Sequence, residues 1–271
     1  MSASKFRPLQ LAIGAATALC AAAISPAEAW EQSHESAQDC SALPSYSMLK
    51  VELSSAQSKS NGGFGLNMWG AVVNRDGEVC AIAFTGSDRG AQWPGSRMIA
   101  AQKAYTANAF SLPGLALSTA NLYSAVQPGG SLYGLQASNP VDPALAYLGP
   151  ATDFGTSKDP MVGYRVGGVN VFGGGLALYN KSHVLIGAIG VSGDSSCADH
   201  NIAWETRHLL GLDYVPGGVS GDATRPDNIV FDITPQLGQM PGVSASGWGH
   251  PLCGVTSSEK SDAAALPVTS H

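Results

Sequence analysis

The chain has 271 residues, of which 44% are hydrophobic and only 13% are charged, and its formal net charge is −6 at pH 7. This apolar composition excludes a disordered chain and is typical of a globular protein with a sizeable core. The negative charge argues against nucleic acid or an anionic membrane surface as a partner, so we expect neither.

The N-terminal residues predict export. Two basic residues precede an apolar run over 9–24, and the small-residue pattern Ala27-Glu28-Ala29 follows it. This arrangement is typical of a cleavable secretory signal over residues 1–29, with the mature chain starting at about Trp30. We therefore expect a periplasmic or secreted protein. Because no later apolar run is long enough to span a bilayer, we do not expect the mature chain to be embedded in a membrane.

Four cysteines remain after the signal, namely Cys40, Cys80, Cys197 and Cys253. An even number of cysteines in an oxidising compartment favours disulfide bonds, and the wide, irregular spacing is unlike that of a zinc site. Four cysteines allow three connectivities, of which we favour Cys40–Cys80 and Cys197–Cys253, each joining a terminal extension to the central domain. For Cys80, which lies in a strand-like run, a free buried thiol is the alternative.

The first half of the domain predicts a helix, a hairpin and a second helix. After a polar leader over residues 30–44, Ser45 is a candidate cap for a helix whose apolar positions recur at helical spacing. Two apolar runs, 66–73 and 78–85, flank a turn that contains Asp-Gly, which is a strong hairpin signal. A glycine-rich loop then leads into an alanine-rich helix over 96–110.

The second half predicts another hairpin and a helix. A helical piece over 115–126 precedes a segment rich in Gly, Pro, Ser and Asp, which we interpret as an insertion over about 128–165. Strand character resumes over 167–179 and continues, after a short turn, in the apolar run 184–191. Glycines inside that run, at Gly187 and Gly190, indicate close approach by another backbone or a ligand.

A turn over residues 192–196 separates this last strand from a helix that extends to about Leu210. Such a turn at a helix N-terminus offers backbone N–H groups to an anion or a carboxylate. The tail predicts one more strand over 228–233 and a frayed, polar end beyond Ser257. The order of the elements is typical of an α+β fold and not of an alternating parallel sheet.

Three segments in this order carry a resemblance to a known family. They are Ala71-Val-Val-Asn-Arg-Asp-Gly77, Ala101-Gln-Lys-Ala-Tyr-Thr-Ala107 and Val184-Leu-Ile-Gly-Ala-Ile-Gly-Val-Ser-Gly193, with Asp199 following. Together they resemble the GlcG/HbpS-like haem-binding family, which also occurs as the C-terminal domain of some PduO-type proteins. The positions that correspond to the family pattern are Asp76, Gly77, Lys103, Thr106, Gly187, Gly190, Ser192, Gly193 and Asp199.

The resemblance implies an α+β, profilin-like fold, with a central antiparallel sheet of about five strands and helices packed on it. It covers residues 45–212, so the insertion at about 128–165 and a C-terminal extension over 213–271 are additions to the basic domain. It also implies a homo-oligomer and, as a possible cofactor, haem. The chain departs from the family at Val73-Asn74-Arg75-Asp76, where the pattern has Val-Val-Asp, and it has no histidine in the first helix. The nearest is His34 in the leader.

Two of the six histidines are candidate ligands for haem iron. His200 and His208 share a helix face but stand roughly 12 Å apart, too far to bind one metal ion. One axial histidine is sufficient for haem, so His200 remains a candidate iron ligand, with a capping or surface position on its helix as the alternative. His250 is the second candidate, because the favoured disulfide at Cys253 brings it towards His200.

Lys103 is the candidate anchor for a ligand, because it lies in an otherwise small and apolar helix. Its ammonium would pair with Asp199 or Asp76, or neutralise a haem propionate or a substrate carboxylate, and a solvated helix position is the alternative. The expected ligand-binding residues are Lys103, Thr106, Val191, Ser192, Gly193, Asp199 and His200.

Two functions are compatible with these residues. The favoured one is an exported protein that binds a small ligand, haem or a related planar anionic molecule; whether it also has an enzymatic activity is left open. The alternative is a periplasmic enzyme for a small hydroxy or keto acid, with Asp199 or His200 as the base and Lys103 as the electrostatic anchor. The sequence lacks a nucleophile elbow and a dinucleotide fingerprint, so we expect no nucleotide cofactor and find little support for nucleophilic catalysis.

Overall fold

The computed structural model describes residues 40–237 and 239–271. The predicted signal, most of the leader and His34 lie outside the described residues. The central elements are α1 (Tyr46–Gln57), β1 (Trp69–Asn74), β2 (Val79–Phe84), α2 (Ser96–Phe110), β3 (Gly175–Tyr179), β4 (Leu185–Ser192) and α5 (Ser196–Leu209). The insertion contributes the short helices α3 (Leu135–Ser138) and α4 (Pro143–Ala146), and the tail contributes β5 (Ile233–Gln236), β6 (Gln239–Ser244) and α6 (Glu259–Ala265).

The central sheet has four antiparallel strands in the order β2-β1-β4-β3. Both predicted hairpins are present, because β1 pairs with β2 and β3 pairs with β4. The α+β class is confirmed, but the sheet of the described residues has four strands and not about five. The remaining two strands, β5 and β6, pair with each other in a separate small sheet.

Helices cover both faces of the sheet. On β1, Ala71 and Val73 belong to the apolar cluster that includes the alanines of α2. The intervening Val72 lies in the opposite cluster, with Leu49 of α1 and Ile202 of α5. This alternation follows from the two-residue period of a strand, and burial on both faces explains why the strands read as continuous apolar runs.

Gly190 allows α2 to lie directly on the sheet. A Cβ atom at Gly190 would collide with the carbonyl oxygen of Ala100 and lie 2.5 Å from the backbone nitrogen of Ala104. Gly175 on the neighbouring strand is equally restricted, because its Cβ would collide with the carbonyl oxygen of Lys103. The predicted close approach at Gly190 is therefore made by the backbone of α2, and it brings Lys103 down to the sheet.

Three elements outside the central sheet differ from expectation. The helix expected over 115–126 is two short 3₁₀ segments, Thr119–Leu122 and Ser124–Val126. The strand expected over 228–233 begins only at Ile233, because the carbonyl of Asn228 accepts the side-chain amide of Asn121 instead of a strand partner. The end beyond Ser257 is not frayed, since α6 forms there and Ala263 is buried.

Two disulfides and two buried ion pairs hold the additions to the domain. In one of these ion pairs, Arg207 of α5 binds Asp227 of the C-terminal extension at 2.6 Å. The disulfides join Cys40 to Cys80 and Cys197 to Cys253, the two pairs favoured above. Arg97 at the start of α2 is buried; its Nε donates to Asp159 of the insertion at 2.9 Å, and its guanidinium lies 3.7 Å from the ring centre of Phe154. These contacts fix the insertion beside the first turn of α2.

Across residues 40–237 and 239–271, every helix is too short or too polar to cross a membrane.

Candidate functional site

Lys103 and Asp199 form a buried ion pair between α2 and α5. The ammonium of Lys103 donates to Asp199 Oδ2 at 2.7 Å and to the carbonyl oxygen of Val191 at 3.1 Å. Both side chains are almost completely buried. Of the two carboxylates proposed as partners of this lysine, Asp199 is the one that it binds, whereas Asp76 is half-buried and lies 3.6 Å from Arg165.

The second oxygen of Asp199 fills the turn that follows β4. Asp199 Oδ1 accepts the backbone N–H groups of Gly193 at 3.0 Å and of Asp194 at 2.9 Å. The Oγ of Ser195 caps α5 by accepting the N–H of Ala198 at 3.3 Å. The amides that the sequence offers to an anion or carboxylate are therefore bound by the chain's own carboxylate.

Burial shifts the pKa values of the two side chains in opposite directions. It raises the pKa of Asp199 to about 6, and the charge of Lys103 and the hydrogen bonds from the turn partly oppose that rise. It also lowers the pKa of Lys103, against the attraction of Asp199. Each partner still favours the charged form of the other, so at neutral pH the pair is ionised and its net charge is zero.

A pocket of about 320 Å³ lies next to this pair. Its wall is mainly apolar, although the ion pair forms part of it. Two aromatic side chains, Trp93 and Phe172, line it and are 54% and 48% exposed. The lining residues are Trp93, Ser96, Ile99, Lys103, Phe172, Ser192, Asp194, Ser196 and Asp199.

The two exposed aromatic residues have fixed backbones. The carbonyl of Trp93 accepts the indole N–H of Trp69 at 3.1 Å and the N–H of Ser96 at 3.0 Å. The carbonyl of Phe172 accepts the hydroxyl of Thr119 at 2.5 Å. An exposed ring on an ordered backbone loses little entropy when a flat molecule stacks on it.

Sequence reasoning did not select Trp93, Phe172 or Ser196 as site residues. Both aromatic residues adjoin glycine-rich segments, Trp93 in the loop over 86–95 and Phe172 just before the glycines at 173–175. An aromatic residue beside glycines is by itself a weak indication of a binding surface. The indication becomes stronger when the fold places two such aromatic residues in one pocket.

The other predicted site residues are divided between the pocket and the core. Ser192 lines the pocket together with Lys103 and Asp199. Val191 contributes only its carbonyl oxygen, and Gly193 only its N–H group. Thr106 is buried and binds the backbone, accepting the N–H of Asn170 at 3.0 Å.

His200 lies in the core and not in the pocket. Its Nε2 lies 3.1 Å from Asn228 Oδ1 and 3.1 Å from the backbone nitrogen of Ile229. Its Nδ1 is buried without a hydrogen-bond partner among the described residues. Burial lowers the pKa of His200 to about 3. The structure thus does not assemble Lys103, Asp199 and His200 into one acid–base site.

His250 lies behind the pocket wall. Its Nε2 is 2.8 Å from the Oγ of Ser196, which lines the pocket, and its Nδ1 is 2.7 Å from the carbonyl oxygen of Pro251. The disulfide at Cys253 holds this segment against the start of α5, as expected. Burial lowers the pKa of His250 to about 4, so its imidazole is neutral at pH 7.

The buried histidines predict destabilisation by acid. The folded protein protonates His200 and His250 less readily than the unfolded protein does, because burial lowers both pKa values. As the pH falls below the unfolded pKa of about 6.5, each histidine therefore lowers the free energy of unfolding, by about 2 kcal/mol at pH 5. Asp199, whose pKa is raised, acts in the opposite sense and offsets about 1 kcal/mol. Urea unfolding at pH 7 and pH 5 should therefore show a net loss of roughly 3 kcal/mol.

The variants His200→Leu and His250→Gln identify the source of this effect. In each variant, the difference in the free energy of unfolding between pH 7 and pH 5 should be smaller by about 2 kcal/mol, whatever the stability of the variant at pH 7. A difference between the two pH values that is unchanged in both variants would show that other groups cause the acid sensitivity.

Comparison with known proteins gives one family match and several structural ones. The chain resembles the solved structure of Klebsiella pneumoniae protein ORFY, with 24% sequence identity over 62% of this chain and 90% of that one and a TM-score of 0.41. It also resembles the complex of PduOC with haem, with 22% identity over 62% of this chain and 93% of that one and a TM-score of 0.42. A third similar structure is that of HbpS, with 17% identity over 61% of this chain and 86% of that one and a TM-score of 0.38. No curated protein matches the chain significantly.

The family match rests on the sequence, and it is independent of these low TM-scores. The family model described as haem degrading protein HbpS-like matches residues 51–207, from α1 to the last turns of α5. The match includes the central sheet and all nine residues that line the pocket. Since it spans more than half of the 271 residues, the chain belongs to the HbpS-like family.

Proposed function

We propose that the protein binds haem or a related planar ligand in the pocket beside Lys103 and Asp199. The observation that carries this proposal is the pair of exposed aromatic side chains, Trp93 and Phe172, on a mainly apolar wall. A flat, apolar molecule buries the most surface against such a wall, and aromatic faces add stacking energy. The family description supports haem as the ligand to test first.

The residues of the pocket fit the macrocycle better than the iron. Trp93, Ile99 and Phe172 offer apolar contacts to a porphyrin face. The charge of Lys103 is already neutralised by Asp199, so it attracts a propionate weakly. Among the described residues that line the pocket there is no histidine, cysteine, methionine or tyrosine, which are the usual ligands of haem iron. We therefore assign no iron ligand.

The proposal includes export and self-association. Two disulfides favour an oxidising compartment such as the periplasm. The signal over 1–29, the domain limits 45–212 and the extension 213–271 remain part of the proposal, as does the homo-oligomer. Mass determination of the secreted protein, with a start near Trp30, tests the cleavage site.

Hemin titration tests the ligand and its site. We expect a saturable shift of the Soret absorption band in the unaltered protein. Trp93→Ala and Phe172→Ala should each weaken binding about tenfold, which corresponds to about 1.4 kcal/mol of lost contact.

Tyr133→Ala is the matched control, because Tyr133 is 68% exposed and does not line the pocket. Its affinity should stay within about twofold of the unaltered protein, a change of less than about 0.5 kcal/mol. Absence of saturable binding would refute the proposed function, and equal affinities in all three variants would place the ligand elsewhere.

A further inference from the structure

A serine and a histidine at the pocket wall have the arrangement of a nucleophile and its base. Ser196, the first residue of α5, is partly exposed and lines the pocket, and its Oγ lies 2.8 Å from Nε2 of the buried His250. That separation is within hydrogen-bonding range for proton transfer. The proposed binding of a planar ligand makes no use of this contact.

The neighbouring hydrogen bonds fix the direction of the contact. The carbonyl oxygen of Pro251 can only accept, so the ring nitrogen 2.7 Å from it, His250 Nδ1, carries the proton. The neutral imidazole therefore leaves Nε2 free to accept. The backbone N–H of Gly173 donates to the Oγ of Ser196 at 2.7 Å, so the hydroxyl proton of Ser196 is directed at His250.

Each part has a counterpart in a serine hydrolase. The hydroxyl of Ser196 faces a pocket and gives its hydrogen bond to the imidazole of His250, and the carbonyl of Pro251 orients that imidazole as an acidic side chain does in the usual triad. The covalent link from Cys197 to Cys253 holds the two partners together from both sides, since each cysteine lies close in sequence to one of them.

We infer that Ser196 and His250 form a catalytic pair that hydrolyses small carboxylic esters in this pocket. The Oγ of Ser196 attacks the carbonyl carbon while its proton passes to His250 Nε2. The bond from carbon to the alcohol oxygen then breaks, and the leaving alkoxide takes that proton. Water, deprotonated by the same nitrogen, adds to the acyl-serine, releases the carboxylic acid and restores the hydroxyl.

The pocket indicates which esters would react. Its volume of about 320 Å³ and its apolar residues Trp93, Ile99 and Phe172 suit a small acyl or aryl group. Because burial makes His250 a weak base, esters of acidic alcohols, such as phenyl esters, are the expected substrates.

Two measurements on the whole purified protein test the pair. The first follows hydrolysis of p-nitrophenyl acetate, for which Ser196→Ala and His250→Gln should each reduce the enzymatic rate by about 100-fold or more. The matched control is Ser124→Ala, which removes a hydrogen bond to the carbonyl of Gly249, next to His250, without touching the pair. It should keep the rate within about twofold, since it leaves the transition-state contacts in place.

The second measurement uses the unaltered protein and does not depend on whether a variant folds. A fluorophosphonate probe, which reacts with activated serines, should attach to the peptide that contains Ser196, at a position mapped by mass spectrometry. Attachment at Ser196 supports the inference. Absence of labelling, attachment to Ser195 or Ser192, or an undiminished rate in Ser196→Ala would overturn it, whatever the outcome of the hemin titration.

Discussion

Replacing Gly190 by alanine should destabilise the protein by about 3 kcal/mol or more, at the upper end of what overpacking costs. The added methyl group would collide with the carbonyl oxygen of Ala100, and it would lie 2.5 Å from the nitrogen of Ala104. Both atoms belong to the helix backbone, which cannot turn aside as a flexible side chain can. Urea unfolding of Gly190→Ala, with the free energy extrapolated to water, measures the loss.

Gly114→Ala is the control for this substitution. A Cβ at Gly114 meets nothing within 4 Å, so the change should stay within about 0.5 kcal/mol. If Gly190→Ala were as stable as Gly114→Ala, α2 would not lie on the strand as described, and the position of Lys103 at the sheet would lose its support.

Removing the ammonium of Lys103 should cost about 3–5 kcal/mol, the usual penalty for leaving one partner of a buried ion pair alone. In Lys103→Met the side chain keeps much of its bulk, but Asp199 Oδ2 loses a partner at 2.7 Å while it stays buried. The free energy of unfolding at pH 8, where Asp199 of the unaltered protein is ionised, is the quantity to measure.

The double variant Lys103→Met with Asp199→Asn separates the charge from the packing. The amide keeps an oxygen for the N–H groups of Gly193 and Asp194, so more than half of the lost stability should return. Lys181→Met, at an exposed position, should change stability by less than about 0.5 kcal/mol. A double variant as unstable as Lys103→Met would mean that the uncompensated carboxylate is not the cause of the loss.

The elements and the class of the fold could be predicted from local patterns. The Asp-Gly turn at Asp76 and Gly77 indicated the first hairpin, and the apolar run from Val184 indicated a strand buried on both faces. The 3₁₀ segments after Ser118 could not be predicted, because their conformation depends on contacts with residues that are distant in the sequence. Asn121 binds the backbone of Asn228, more than a hundred residues away.

The site could be predicted only in part, because sequence spacing does not show which partner satisfies a polar group. Lys103 and Asp199 were selected on residue type and family pattern, and the structure brings them together. The N–H groups after β4 were expected to donate to an anion or a carboxylate, and in the structure Asp199 itself accepts them. His200 has the residue type of an iron ligand, but the amide of Asn228 holds it in the core.

The pocket depends on residues from four separate segments of the chain. Trp93 comes from a loop, Lys103 from α2, Phe172 from the segment before β3, and Ser196 from the start of α5. No local pattern links these positions, because only the tertiary fold brings them together. A neutral ion pair below an apolar, aromatic wall favours flat ligands over small anions.

The most direct test of this account is to locate haem iron by its anomalous X-ray scattering in crystals grown with hemin. The account predicts one iron position in the pocket, with the porphyrin in contact with Trp93 and Phe172 and the pair of Lys103 and Asp199 intact. An iron position outside this pocket, with both aromatic side chains still exposed to solvent, would contradict it.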